Sequence, residues 1–160
     1  MRPAVEVHKE SADTESKQRL RLWIRLLRAS RDLEGELRER LRREIGTTLP
    51  RFDVLSALDR AMAPMTMTEL SRYLMVSNGN VTGIIERLVD DGLVIRVQKK
   101  GDRRASMVAL TAAGEKAFAD MAKEHESWVN ELLAPINGED AADMIDILTR
   151  FDRCRRASLS

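Results

Sequence analysis

Residues 65–92, MTMTELSRYLMVSNGNVTGIIERLVDDG, followed by residues 93–111, LVIRVQKKGDRRASMVALT, carry two patterns in a fixed order. In the first, Thr66 and Glu69 stand at the spacing of a capping box just ahead of an apolar run, which predicts a helix start. Leu70, Tyr73 and Leu74 form the expected buried side of that helix, and Met75, Val76 and Ser77 make a turn with Ser77 as the next N-cap. Val81, Ile84, Ile85 and Leu88 then repeat at three and four, the spacing of one buried helix face, until Gly92 ends the helix. The order helix, short turn, helix predicts a helix-turn-helix.

The second pattern is a β-hairpin. Leu93–Gln98 and Met107–Leu110 are apolar or β-branched runs separated by Lys99, Lys100, Gly101, Asp102, Arg103 and Arg104. Across residues 93–111, five cations (Arg96, Lys99, Lys100, Arg103, Arg104) face one acid, Asp102, a net of +4. Asp102 is ill placed to touch phosphate and is expected to brace Arg104 on the same side of its strand.

The exposed start of the second helix holds Ser77, Asn78, Gly79, Asn80 and Thr82, with Arg87 further along. Small hydrogen-bonding side chains and glycines let a backbone approach base edges. Asn bonds adenine bidentately, and the Thr methyl meets that of thymine. A capped surface helix without a partner would also show this composition, although Asn and Gly are poor choices for an exposed helix. A basic hairpin, otherwise a solvated turn, becomes a phosphate and minor-groove contact when it directly follows a helix-turn-helix. These residues together define the expected double-stranded-DNA surface.

From about Leu20 to about Arg156 the chain resembles the MarR-type winged helix-turn-helix regulators. The most specific piece is the wing signature Asp-x-Arg, five residues, then Leu-Thr: Asp102, Arg104, Leu110 and Thr111. Ala112, Ala113 and Gly114, leading into a long helix, also fit. The resemblance implies a mostly α fold with a small β-hairpin wing and terminal dimerisation helices. It further implies a homodimer on an inverted-repeat operator, most often a repressor released by a small molecule lodged where terminal helices meet the winged domain. Trp23, Arg51, His125 and Trp128 supply aromatic faces and a cation for such an effector, and each also reads as a structural residue.

Two phrases, residues 47–53 (TTLPRFD) and 74–82 (LMVSNGNVT), are similar to the branch responding to hydroxycinnamoyl-CoA thioesters. That branch regulates aromatic compound catabolism, and its effectors are compounds such as p-coumaroyl-CoA or feruloyl-CoA. Arg19, Arg21, Arg25, Arg28, Arg31, Arg38, Arg40, Arg42 and Arg43 could meet CoA phosphates, or pair as a solvated face with Asp32, Glu34, Glu36 and Glu39.

The flanks divide the 160 residues into a flexible tail (1–15), N-terminal dimerisation and support helices (16–62), a winged domain (63–111) and C-terminal dimerisation helices (112–160). Leu22, Leu26, Leu33, Leu37, Leu41 and Ile45 form one stripe ending near Gly46. Phe52, Val54, Leu55 and Leu58 follow Pro50, a residue tolerated in a first turn. Phe118, Met121, His125, Trp128, Leu132 and Ile136 form another stripe, broken by Pro135 and Gly138, and Met144, Ile145, Leu148 and Phe151 a last one. Apolar edges this long ask for a two-fold partner.

The overall charge of +1 decides nothing, but its distribution does. Residues 112–149 carry nine acids and two lysines, a net of −7, so that half should face away from DNA. One cysteine, Cys154, excludes an internal disulfide and fits a reducing compartment, and it reads as a small core or interface residue. The peroxide-sensing relatives carry a cysteine in the first long helix; here none stands there. No apolar run reaches membrane-spanning length and residues 1–17 form no signal peptide, so a cytoplasmic protein is expected. His8, His125 and Cys154 are too scattered for a zinc site, and neither a nucleophile elbow nor a phosphate loop appears. No metal, cofactor or catalytic residue is expected. Against the ligand-released regulator stand an architectural or protein-interaction module without effector and, more distantly, an enzyme.

Overall fold

The computed structural model describes residues 4–99 and 102–158, with side chains described for 14–98 and 106–158. The order is α1 (Ala4–Arg40), prolonged by a π-helical turn (Leu41–Ile45), α2 (Leu49–Ala61), β1 (Met65–Thr66), α3 (Met67–Leu74) and α4 (Asn78–Asp90). Then follow β2 (Val94–Lys99), β3 (Asp102–Leu110), α5 (Ala112–Leu132) and α6 (Gly138–Ala157). The fold is mostly helical with one small antiparallel sheet, ordered β1-β3-β2. The chain divides into two compact units, residues 1–122 and 123–160, with the division inside α5.

Local chemistry explains most element boundaries. The first long helix ends at Gly46, whose N–H donates to the Leu41 carbonyl and whose left-handed φ of 75° turns the Thr47 N–H onto the same carbonyl at 3.1 Å. Thr48 and Pro50 open α2, and Phe52, Val54, Leu55 and Leu58 are buried as their spacing requires. Thr66 caps α3 reciprocally: its Oγ1 accepts from the Glu69 N–H at 3.2 Å, and its own N–H donates to Glu69 Oε2 at 2.8 Å. Val81, Ile85 and Leu88 are wholly buried on α4 and Ile84 half-buried. The Phe52 ring meets that of Phe118 at 5.5 Å between centroids, joining α2 to the first half of α5.

Residues 4–15, within the expected tail, have helical backbone continuous with α1. Three expectations are corrected. Tyr73 is 48% exposed, because the buried face of α3 centres on Leu70, Ser71 and Leu74, about 100° of rotation away. Ser71 sits there with its hydroxyl donating to the Thr68 carbonyl at 3.1 Å. The hairpin gains a third strand, as Met65 pairs with Val108 and Thr66 with Met107. Finally, β2 and β3 run into the basic segment that was expected to separate them. Gln98 lies opposite Ser106 but Lys99 opposite Asp102, a slip that bends and twists a strand pair.

Candidate nucleic-acid interface

The joint that fixes the start of the wing is built at Gly92 and Leu93. Gly92, with φ 72°, turns the chain out of α4. Thr111 at the end of β3 then donates its N–H to the Leu93 carbonyl at 3.0 Å and its hydroxyl to the Gly92 carbonyl at 2.7 Å. The same Oγ1 accepts from the Gly114 N–H at 2.9 Å, capping α5. One threonine therefore ties the end of α4, the root of the wing and the start of α5 together. That is the physical content of the Leu110-Thr111 signature.

At the other end of α4 the surface is open. Ser77, Asn78, Gly79, Asn80 and Gly83 are exposed. Ser77 holds the N-cap position, but its side chain makes no capping hydrogen bond. A Cβ added at Gly79 or Gly83 would meet nothing within 4 Å, so packing inside the chain does not require glycine at either position. An exposed helix would be more stable with alanine there. Room for an external surface at close approach is what these glycines provide. Asn80, Gly83 and Arg87 follow one another at helical spacing along the exposed side.

Thr82 departs from its expected exposure, not from its expected methyl contact. It is half-buried, and its hydroxyl donates to the Asn78 carbonyl at 2.9 Å, which leaves its methyl as the available contact. Lys99, Asp102, Arg103 and Arg104 lie within β2 and β3 by their backbone. Their side chains, the whole of Lys100, and the expected Asp102–Arg104 brace lie outside the described residues.

The four effector candidates have unlike surroundings. Trp23 is 59% exposed on α1. Arg51 pairs with Asp91, the C-cap residue of α4, through Nη2 and Oδ2. This ion pair between residues forty apart in sequence ties α2 to α4, and nothing in the local pattern announced it. In the second unit Trp128 is buried, and burial lowers the pKa of the half-buried His125 below the usual 6.5, favouring neutral imidazole. In the first unit burial raises the Asp53 carboxyl, and the carboxylate of Glu34 adds to the effect. Surface concavities on α6, on α1 and at the base of β3 include none of Trp23, Arg51, His125 or Trp128.

Much of the arginine-rich face of α1 is paired. Arg19 meets Glu15 at 2.7 Å, Arg40 meets Glu36 at 2.8 Å, Arg42 meets Glu39 at 2.8 Å, and Arg38 meets Glu34. Arg21, Arg25, Arg28 and Arg31 are exposed and make no ion pair among the described residues. Cys154, expected in a core or interface, is exposed within this chain. No group of metal-ligating side chains and no helix long and apolar enough to cross a membrane is found among the described residues.

Comparison with known proteins agrees with this architecture. Residues 47–106 match the MarR family. The chain is 30% identical over 144 residues to the transcriptional activatory protein BadR of Rhodopseudomonas palustris, covering 88% of this chain and 82% of that protein. The crystal structure of a MarR family transcriptional regulator from Silicibacter pomeroyi superposes with a TM-score of 0.72 at 30% identity, over 88% of this chain and 97% of the other. Wild-type apo MarR from E. coli gives 0.69 at 26% identity, over 79% and 94%.

Proposed function

The chain belongs to the MarR family of transcriptional regulators, and from that premise we propose that it is a homodimeric repressor of an inverted-repeat operator, released by an aromatic acyl-CoA thioester of the p-coumaroyl-CoA or feruloyl-CoA type. The observation that carries the DNA-binding reading is the open start of α4, where Asn78 and Asn80 stand exposed among glycines that the fold itself does not require. Ser77 and the wing cations Lys99, Lys100, Arg103 and Arg104 then supply backbone contacts, with Arg87 at the far end of the same helix face.

Dimerisation is supported by apolar side chains that the chain leaves uncovered. On α1, Leu20, Leu22, Trp23 and Ile24 are exposed; on α6, Ile145, Leu148 and Phe151 are exposed, Phe151 at 61%. A two-fold partner offering the same faces buries them. The thioester reading is supported by Arg21, Arg25, Arg28 and Arg31, cations without ion-pair partners among the described residues and suited to CoA phosphates, with Trp23, Arg51, His125 and Trp128 as the candidate contacts.

Gel shifts on the DNA upstream of the protein's own gene, with p-coumaroyl-CoA, the free acid and CoA alone, test this function. The thioester is expected to lower operator affinity, whereas the acid and CoA leave it nearly unchanged. An effector preferring the DNA-incompetent dimer about 100-fold contributes roughly 2.7 kcal/mol, enough to clear an operator near half-saturation. If the thioester neither binds at micromolar concentration nor releases DNA, the effector assignment fails and the regulator reading stands. Since BadR carries the name of an activator, transcription from the same promoter reads the sign of control directly.

The wing gives a separate test. Arg104→Ala, and less so Arg103→Ala, is expected to weaken operator binding with the dimer intact and to reduce the salt slope of affinity by about one per phosphate contact removed. Unchanged affinity and slope in Arg104→Ala would remove the wing from the interface.

A further inference from the structure

We propose that Met75, flanked by Tyr73 and Val76, is a specificity-determining residue: the turn of the helix-turn-helix presents an apolar tip that receives thymine methyl groups beside the bases faced by Asn78 and Asn80. The inference rests on the DNA-binding reading above and adds a base preference that hydrogen bonding from α4 alone does not supply.

Met75 ends α3 in the left-handed region, with φ 54° and ψ 37° and its N–H on the Arg72 carbonyl at 3.3 Å. Side chains with a Cβ are disfavoured there, and turns of this motif often use glycine. The folded chain recovers nothing through contact, because the residue is 92% exposed. Tyr73 and Val76 beside it are 48% and 42% exposed. Three neighbouring apolar side chains therefore project at the turn leading into α4, one of them held in a strained conformation. An outlier of this kind points to use outside the chain.

The surroundings narrow the occupant. Ser77, Asn78 and Asn80 continue the patch as uncharged hydrogen-bonding groups. Tyr73, Met75 and Val76 carry no charge to offer a phosphate, which the exposed Arg72 beside them would instead receive, and a protein partner would need far more area than three side chains. The thymine edge in the major groove pairs an apolar C5-methyl with an O4 acceptor and so matches an apolar tip bordered by amides. A thioether adapts its shape to such a contact.

The fold supplies its own control. Met62 is likewise left-handed, with φ 50°, and 92% exposed. It lies at the opposite end of β3 from the basic segment, lining a cavity of about 310 Å³ with Leu58, Pro64, Leu110 and the carboxylates of Asp59 and Glu115. That acidic setting does not suit DNA.

The test uses the full-length protein and its footprinted operator, with thymines replaced singly by uracil to delete the methyl. Met75→Gly is expected to raise the melting temperature by about 2 °C and to lower operator affinity about tenfold. Uracil at one or two half-site positions is expected to weaken the native protein about three- to tenfold and Met75→Gly not at all. Met62→Gly should melt higher and bind unchanged. Native affinity in Met75→Gly, or equal uracil penalties in both proteins, overturns the proposal while leaving the DNA-binding reading intact. A native protein that does not distinguish operator from scrambled DNA overturns both.

Discussion

Gly114→Ala is expected to destabilise the protein more than a single-methyl addition at any other described glycine. An alanine Cβ at this position would stand 2.0 Å from the Leu93 carbonyl oxygen and 2.9 Å from its carbon. The clash is with backbone, and that backbone is held: the Leu93 carbonyl accepts from the Thr111 N–H, and Gly114 itself donates to Thr111 Oγ1. Relief would require moving the start of α5 off the root of β2 and breaking the joint that orients the wing. Overpacking against a fixed group of this kind costs about 3 kcal/mol or more. For a chain of this size that is a fall of roughly 6–12 °C in Tm. Thermal and urea unfolding measure it, with Gly138→Ala as reference, since a Cβ at Gly138 meets nothing within 4 Å. A Gly114→Ala protein melting within about 2 °C of the native one would contradict the described packing.

For DNA affinity the largest effect is expected from Asn78→Ala combined with Asn80→Ala. Each good base contact is worth about 1–3 kcal/mol, so the pair should lower operator affinity by roughly 30-fold to more than 10⁴-fold. Alanine is the better helix former, so folding should be unaffected or improved. The salt slope should stay as in the native protein, because no phosphate contact is removed, and binding to scrambled DNA should hardly change. A double variant that still separates operator from scrambled DNA by the native ratio would take base readout away from these residues. Footprinting adds the symmetry: a dimer requires two half-sites with centres about one helical turn apart, roughly 10 bp.

Different parts of the fold and surface were legible to different degrees. The capping box of Thr66 and Glu69, the Val81-Ile85-Leu88 face and the terminators Gly46 and Gly92 were readable because each depends on residues within about four positions. Tyr73 was misplaced because, in an eight-residue helix, apolar spacing fits more than one face. Only packing against the sheet and neighbouring helices selects Ser71 over Tyr73 for burial. Thr82 was read as exposed, yet it is half-buried with its hydroxyl held by the Asn78 carbonyl, a bond made once the helix forms. The two-residue strand β1 carries no periodic signal of its own and exists because β3 offers an edge.

The amino-acid sequence alone determined the class of the protein. Amphipathic spacing, caps and breakers, together with a basic hairpin after two short helices, suffice for a winged helix-turn-helix with long flanking helices, because these signals act over a few residues. Only the tertiary structure decided what joins those elements. The Arg51–Asp91 ion pair, the Phe52–Phe118 contact, the Thr111 joint with Gly114 against Leu93, and the exposed left-handed Met75 all involve conformation or distant partners. Periodicity does not encode which distant groups meet. That follows from how the faces pack, where shape and hydrogen-bond satisfaction select one arrangement among many with the same pattern.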